Sequence, residues 1–556
     1  MTMRALRHCA VTVCAAAVSL PAAQAQPQRE PSIEFVVSRS DTLIGLSRSV
    51  LVSPAAWREV AKLNRLQNPN RINPGQVLLI PQRLMRSAPA PARLTSVTGE
   101  VTVDGNLAAA DSIVNEGQKI ETGPRSSAVL TMADGSRLRL PPSSLAELAV
   151  SRSYGGRGAD TGPAATGNND GWFAGAMCVL RGSVEVFATK VLRAKPLEVT
   201  TPTAVVGVRG TQFRVGFDEA ENASTRSEVI EGVVRLDPAA DSKAGVDLRA
   251  GFGALNDAGR GAPRVAKLLD APDLAAVPER FERPLVRFVV PGQAETLRVQ
   301  VAQDIAFDRI VSDQRVPAGT DVRIAGLDDA RWFLRARRID AQGIEGFDAN
   351  RAFVLKARPE PPAYSAPRVN AKQSVGTVDF AWAANIAAPR AHLQVARDPA
   401  FGDLLLNRDD VTSPALRLPI DAAGIYHWRL ASIRADGDHG PFGDPQRFEL
   451  RPLPEPPKGG PSPDGKMLVF AWGGRPEDRQ QVQLARDEAF TEIVAEAELA
   501  APEWVLPRPD RSGKYFFHYR SVEPDGFVSP YSSTLGVELP RDWRPLLLLL
   551  PLLFAL

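Results

Sequence analysis

Hydrophobic and polar positions change period several times along this chain. Phe35 and Val37 alternate with polar neighbours as a strand does, whereas Trp57, Val60, Ala61 and Asn64 recur at helical spacing, mostly on one inward face. Residues 33–83 therefore predict an extended run, two helices and a second extended run, Gln76–Ile80, entered through the Pro74-Gly75 turn. Asp41 is placed to cap the first helix, which begins near Thr42. Ser53 is placed to cap the second, with Pro54 at its first position. Ser87–Ala92 is rich in Pro and Ala, and residues 84–93 read as a linker. From Leu94 to Leu236 short apolar alternations are punctuated by Gly and Asp-Gly, which predicts a β-rich domain over 94–237. The Gly/polar stretch 151–171 reads as a mobile insertion in it, and 238–282, poorly periodic, as a second linker.

Beyond Phe288 the pattern repeats. Gln300-Val-Ala-Gln-Asp-Ile-Ala-Phe307 returns as Gln394-Val-Ala-Arg-Asp-Pro-Ala-Phe401 and as Gln483-Leu-Ala-Arg-Asp-Glu-Ala-Phe490, at offsets of 94 and 89 residues. A second landmark follows in the same order: Trp332…Gly343, Tyr426…Asp436-Gly437 and Tyr515…Asp525-Gly526. Two ordered landmarks at one period predict three tandem units, placed at 283–358, 362–452 and 456–540 and parted by Pro-rich joints. Each has the size of a small β-sandwich, with a Trp or Tyr for the inter-sheet core, and resembles fibronectin type III or related immunoglobulin-like domains. The fold class expected is thus multidomain and mainly β: a small βααβ module, a β-rich domain and three tandem β-sandwich repeats.

The termini change the picture. Arg4, Arg7 and His8, the apolar Cys9–Leu20 and Ala23-Gln24-Ala25 read as a cleavable signal peptide, residues 1–25. Its removal takes Arg4 and Arg7 from a formal net charge of +2, so no global basic field argues for nucleic acid. It also removes Cys9 and Cys14, leaving Cys178 without an internal disulfide partner. Between Met177 and Val179, Cys178 reads as a buried small hydrophobe. At the other end, the apolar tail within 541–556 runs for 11 residues from Leu546 and is interrupted by Pro551. It is well short of the ~20 residues of a helical span, and a weak membrane contact is what it could offer.

Phe35-Val-Val, Asp41-Thr-Leu43, Leu63-Asn64 and Ile72-Asn-Pro-Gly-Gln-Val-Leu-Leu-Ile-Pro81 resemble the LysM domain. The resemblance implies a βααβ fold that binds N-acetylglucosamine-containing glycan, peptidoglycan in bacteria. Carried over by position, the implied glycan-binding residues are Ser40, Asp41, Thr42 and Leu43 in one loop, and Gln67, Asn68, Pro69, Asn70, Arg71 and Ile72 in the other. Backbone amides there can pair an N-acetyl group while apolar side chains cover its methyl. Ser40 stands where the family usually has glycine, which narrows backbone freedom at that loop.

Residues 94–236 resemble the FecR domain, through Val97-Thr-Gly-Glu-Val101, Glu116-Gly117, Ile120-Glu-Thr-Gly123, Asp134-Gly-Ser-Arg-Leu138, Arg181-Gly-Ser-Val184 and above all Thr200-Thr-Pro-Thr-Ala-Val-Val-Gly-Val-Arg-Gly-Thr-Gln-Phe-Arg-Val215. Family members in iron uptake pass signals to a sigma factor, but through a cytoplasmic N-terminal domain and a spanning helix. This chain has a signal peptide and a LysM-like module there, so only periplasmic protein contact carries over. Arg209 and Thr211 in the signature read as structural.

No catalytic constellation is legible. His392, His427, His439 and His518 lack metal-ligand spacing, and no GxSxG, HExxH or P-loop is present. The expectation is a non-enzymatic scaffold without cofactor or metal, exported to the periplasm or cell envelope of a Gram-negative bacterium. It would hold peptidoglycan through the LysM-like module and contact an unidentified envelope protein through the FecR-like region. A periplasmic sensory accessory to a membrane receptor is the alternative, and a cell-wall hydrolase is a third reading without a supporting residue set.

Overall fold

In the computed structural model, residues 32–540 are described apart from 155–171, 190–196, 209–211, 220–222, 260 and 293. The expected signal peptide, most of the expected insertion, Arg209, Thr211 and the C-terminal tail lie outside the described residues. The chain is multidomain and mainly β, and forms two compact units. The first holds the residues up to 277 with 287–323 and 332–353; the second holds 278–286, 324–331 and 354 onward.

The first unit opens with β1 (Ser32–Val36), α1 (Leu43–Ser49), α2 (Trp57–Leu63) and β2 (Val77–Pro81). β1 and β2 pair antiparallel, Phe35 opposite Leu78. Ile33, Phe35, Leu43, Leu46, Val60, Leu78 and Ile80 make the core, as alternation on the strands and helical spacing between them dictate. The cap of α1 is Thr42, whose hydroxyl accepts from Gly45 N–H at 3.0 Å, rather than Asp41. Asp41 sits one residue too early, and its carboxylate turns back to accept from Ser38 N–H at 2.6 Å. Ser53 does cap, but it caps a 3-10 turn over Pro54–Ala56 that leads into α2.

Neither expected linker is structureless. Val50–Val52 bonds to the chain at Leu84–Arg86, and Ser87–Pro89 pairs with Arg152–Tyr154. Val246–Arg249 and Phe252–Asn256, inside 238–282, pair with Val233–Leu236 and Thr225–Val229. Short strands among Gly and polar residues carry little periodic signal, so the composition of both stretches reads as loop. Ser151–Tyr154 likewise belongs to the strand Leu145–Tyr154 and is no insertion.

Residues 87–267 build a closed circuit of strands. Its central member is the long strand Trp172–Phe187, whose first half pairs with Leu145–Tyr154 and whose second half pairs with Gln212–Phe217. The bend between halves needs Gly182 (φ +79°), where a Cβ would meet Ser143 O at 2.8 Å. Met177, Val179, Val184 and Val186 point into the core. Cys178, on the other side of the strand, is half-buried and unpaired, a correction to its expected burial. The signature Thr201-Pro-Thr203 forms a turn: Thr201 Oγ1 accepts from Ala204 N–H at 3.0 Å, and Asn256 Nδ2 donates to Thr203 O at 2.9 Å.

The outward faces of Trp172–Phe187, Gln212–Asp218 and Ser224–Glu231 carry Glu185, Arg214 and Glu228, all nearly inaccessible. They are covered by the sheet of the first repeat, in which Thr296–Ala302 pairs with Ile310–Val316 and with Ala330–Ile339. Glu185 accepts from Arg139 at 2.5 Å, Arg335 at 2.8 Å and Arg337 at 3.0 Å. Glu345 pairs with Arg298 at 2.8 Å, Arg337 at 3.0 Å, Arg226 at 3.3 Å and Arg214 at 3.5 Å. Arg298 also grips Asp313 at 2.6 Å. Arg139 and Arg137 hold Asp308, and Arg214 donates to Gly346 O at 2.8 Å.

Burial alone would raise the Glu185 carboxyl, but Arg335, Arg337, Arg139 and Arg214 hold it well below the usual carboxylate range. Burial likewise acts on Glu345, and Arg298, Arg226, Arg337 and Arg214 hold that carboxyl well down. Glu228, buried beside Glu345, is pushed up. Burial lowers Arg335 to about 10 in spite of Glu185.

The second unit contains repeats built as two facing sheets. In the second repeat Tyr364–Ala366, Gly376–Trp382 and Ala415–Ile420 face a sheet that includes Arg390–Ala396, Leu404–Val411, Gly424–Ile433 and Gln446–Arg451. Phe380, Trp428 and Phe448 fill the space between, with Phe380 and Trp428 edge-on at 5.2 Å. The third repeat reproduces this with Phe470 stacked on Phe517 at 4.1 Å. The aromatics expected in the core are there. Tyr426 Oη donates to Ala422 O at 2.9 Å and Tyr515 Oη to Arg511 O at 2.6 Å, so each buried phenol has an acceptor.

The buried charges of the first unit differ in what neutralisation does to them. Glu185 stays ionised when folded, so its contribution is present above the ordinary value of 4.5 and is lost as pH falls further. Glu228 is shifted up by burial and by the Glu345 charge, so its contribution falls as pH rises through its folded value. In denaturant titrations at pH 7, Glu185→Gln is expected to cost about 3–5 kcal/mol, because it strands buried guanidinium groups. Glu228→Gln is expected to cost less than about 1 kcal/mol, since an amide keeps the acceptor for Glu345 N–H. Equal losses from the two would refute the assignment.

Candidate glycan-binding site

Antiparallel pairing of β1 with β2 fixes where the two implied binding loops emerge. Val36, the last residue of β1, lies opposite Val77, the first of β2, so the loop after β1 and the loop before β2 leave from one end of the ribbon. Val37 N–H donates to Gln76 O at 2.8 Å and Gly75 N–H to Val37 O at 2.7 Å, which ties them further. Gly75 adopts φ +82°, the left-handed value its turn requires.

The first loop is closed on itself by Asp41, which binds Ser38 through backbone and carboxylate. Ser40 and Thr42 are exposed and Asp41 is half-buried. Leu43 is buried in the core, so it anchors this loop and can meet a ligand only through its backbone. In the second loop Asn68 Oδ1 accepts from Asn70 N–H at 3.0 Å and Asn68 O from Arg71 N–H at 3.0 Å, a tight turn preceding Ile72. Gln67, Asn68, Asn70 and Arg71 are exposed, whereas Pro69 and Ile72 are half-buried. The two loops thus present exposed amide and hydroxyl groups, with Pro69 and Ile72 as their half-buried apolar side chains.

Asn64 holds the second loop's helix against the strand that follows. Its amide donates to Val60 O at 2.8 Å and Leu79 O at 2.7 Å, while its Oδ1 accepts from Leu79 N–H at 2.7 Å. One side chain thus ends α2 and occupies the free edge of β2, which is why an Asn follows Leu63 in the motif.

The module's core does not close on its own residues. Tyr154, Trp172 and Ala174, from the β-structure downstream, pack into it, with the Phe35 and Trp172 rings 5.5 Å apart. These residues were missed from sequence. The signal available was an aromatic pair, Tyr154 and Trp172, that brackets the Gly/polar stretch and turns out to be a cross-strand pair. A concavity lined by Arg83, Arg86, Arg152 and Tyr154 includes none of the ten loop residues, and Arg83 and Arg152 are already paired with Glu59 and Glu116. Among the described residues no group of three or more His, Cys, Asp or Glu could hold a metal ion, and no helix is long and apolar enough to cross a membrane.

Residues 35–81 match the family described as LysM domain, and residues 118–235 the family described as FecR protein. Each match covers a segment well short of half of the chain, and both families are of binding or signalling domains. The FecR match is narrower than the expected 94–237. Comparison with curated proteins finds no match. Among solved structures the chain is similar to a candidate anti-sigma factor from Parabacteroides distasonis, at 16% identity over 27% of this chain and 59% of that one, TM-score 0.20. It is also similar to the FN1–FN3 domains of chicken CNTN1, at 12% identity over 47% and 95%, TM-score 0.19. A two-domain fibronectin type III segment of chicken tenascin matches at 14% identity over 32% and 99%, TM-score 0.19. The chain spans about three fifths of the length of the anti-sigma factor it matches.

Trp172 gives a direct check on the shared core. Trp172→Ala is expected to cost about 3–5 kcal/mol locally and to raise amide hydrogen exchange across β1, α1, α2 and β2. Protection at Leu130, Val186 and Val215, in the core of the β-structure, is expected to hold. Unchanged exchange in the module would show that it closes without the tryptophan.

Proposed function

We propose that this protein is a non-enzymatic cell-envelope scaffold that holds peptidoglycan through its LysM domain and presents the FecR region for protein contact. The observation that carries the reading is the pair of polar loops brought to one end of the β1–β2 ribbon, in a module that matches the LysM family over residues 35–81. Ser40, Asp41, Thr42 and Leu43 would line one side of the sugar site and Gln67, Asn68, Pro69, Asn70, Arg71 and Ile72 the other. A single module binds weakly, since avidity requires several linked sites. Export is part of the proposal: residues 1–25 would direct the chain across the inner membrane and be removed. The periplasm or cell envelope of a Gram-negative bacterium is the compartment where peptidoglycan would be met.

The FecR match favours a second reading, a periplasmic accessory that reports to a membrane receptor. The two readings separate by what the chain binds, because a scaffold is retained by purified sacculi alone whereas an accessory requires a membrane partner.

Retention of the full chain on purified sacculi tests the proposal. The double variant Asn70→Ala/Arg71→Ala alters exposed side chains that donate no side-chain hydrogen bond within the described residues. It is expected to lower retention roughly three- to tenfold, the scale of one or two hydrogen bonds, with an unchanged thermal melt. Retention of the wild-type chain no greater than that of a chain lacking sugar affinity would remove the glycan claim.

A further inference from the structure

Three side chains recur at one register in all three repeats. Gln300 lies opposite Arg335, Gln394 opposite Arg429, and Gln483 opposite His518, on the same two antiparallel strands each time. The Gln Oε1 accepts from the partner in each: from Arg335 Nε at 2.9 Å, and from Arg429 Nε at 2.8 Å, with His518 Nε2 3.0 Å away in the third. The repeat's motif phenylalanine, held at positive φ in each case, packs on that same partner. Phe307 lies 4.5 Å from the Arg335 guanidinium, Phe401 lies 4.0 Å from that of Arg429, and Phe490 stacks on His518 at 3.4 Å.

In the first repeat this module is occupied. Arg335, with its Nε and one terminal nitrogen on Gln300, donates to the Glu185 carboxylate supplied by the strand Trp172–Phe187. In the second repeat the equivalent arginine lies between two rings, Phe401 and Phe442, the latter 4.2 Å away. Gln394 is itself fixed by donating to Asn407 Oδ1 at 3.0 Å. Yet among the described residues no carboxylate pairs with Arg429, and its one side-chain hydrogen bond runs from Nε to Gln394. Glu282 and Tyr364 reach it only by longer-range charge. A guanidinium between two rings, with its Nε committed and its fork open at a half-buried surface, is preorganised for a carboxylate.

We propose that the second repeat carries a receptor site for a carboxylate side chain of a partner protein, centred on Arg429 and built by Gln394, Phe401 and Phe442. The first repeat shows the bound form of the same module, with the carboxylate arriving from a protein strand, which favours a protein over a small anion. The His392–His439 pair, 2.9 Å apart, borders the site beside Phe442, with ring centroids 4.9 and 5.8 Å from it. It stands where the first repeat has the Arg298–Glu345 ion pair, so the neighbouring position has exchanged a closed salt bridge for two rings. The third repeat has lost the site. Burial and Arg520 push His518 down to about 4, so it offers a neutral ring, and Tyr531 covers its other face at 3.8 Å. This site is independent of the glycan reading and stands if sugar binding fails.

The test uses the full chain and a tethered hexaglutamate peptide as the carboxylate probe, with hexaglutamine as its uncharged counterpart. Wild type is expected to bind hexaglutamate in a salt-sensitive manner and to ignore hexaglutamine. Arg429→Gln is expected to weaken binding about tenfold, and Arg417→Gln, at an exposed arginine elsewhere on the repeat, to leave it unchanged. Arg429→Lys keeps the charge without the planar fork and is expected to lose about half that effect or more, which covers the case in which the glutamine variant does not fold. Equal binding by the Arg429 and Arg417 variants, or equal capture by the two peptides, overturns the proposal. Loss of sacculus retention in Arg429→Gln with hexaglutamate binding intact would also overturn it, by assigning the site to wall carboxylates.

Discussion

A sheet of buried arginines and carboxylates is the constraint on which the first unit depends. Glu185 and Glu345 are nearly inaccessible, each gripped by three or four guanidinium groups. Taking such charges out of water is costly, and only near-complete pairing offsets the cost. That requirement makes the contact intolerant of slippage. Moving the Thr296–Ala302 strand by one residue would turn Arg298 and Gln300 into the apolar core of the repeat and bring Leu297 and Val299 onto Glu185. Hydrophobic burial holds each layer together, but charge sets which layer meets which and in what register.

The same positions in the later repeats show how such a contact can change without altering the fold. Asp313, Asn407 and Glu496 occupy one place and accept from Gln300, Gln394 and Gln483 respectively. Arg298 is replaced by His392, and Asp348 by Phe442. Inward-facing residues remain apolar throughout: Leu334, Trp428 and Phe517 all lie in the space between sheets. Alternation along a strand lets the two faces vary separately, so the outer face of a sandwich can move from ion pairs to ring stacks while its core persists.

Sequence made the LysM module legible because each local rule there agrees with the fold. Strand alternation at Phe35, helical spacing at Trp57 to Asn64, and the Pro74-Gly75 turn all point the same way, and the structure follows each of them. The cap assigned to Asp41 failed by one residue, since either Asp41 or Thr42 satisfies the preference and only the backbone decides. The repeats were legible for a different reason: two spaced landmarks survive even where single strands are ambiguous. What escaped was burial of polar residues on both faces. Arg214 between Phe213 and Val215, or Glu185 between Val184 and Val186, has the pattern of a solvated outer face, and no local signal says that another sheet covers it. The strands at Ser87–Pro89, Val246–Arg249 and Phe252–Asn256 escaped because they are short and carry little periodic signal, and the first also pairs with a distant partner.

Docking of the module's core through Trp172 ties the module to the β-structure downstream. A module on a free Pro/Ala linker would move and leave its neighbours indifferent. Here the residues after β2 pair with the strand that ends in Tyr154, and Trp172 reaches Phe35 on β1, which leads into the first binding loop. The strand that carries Trp172 at one end carries Glu185 near the other, where the first repeat is clamped. One continuous strand therefore links the core of the β1–β2 module to the buried charge layer. Displacement of the module would be borne by a fixed β-structure rather than absorbed by a linker.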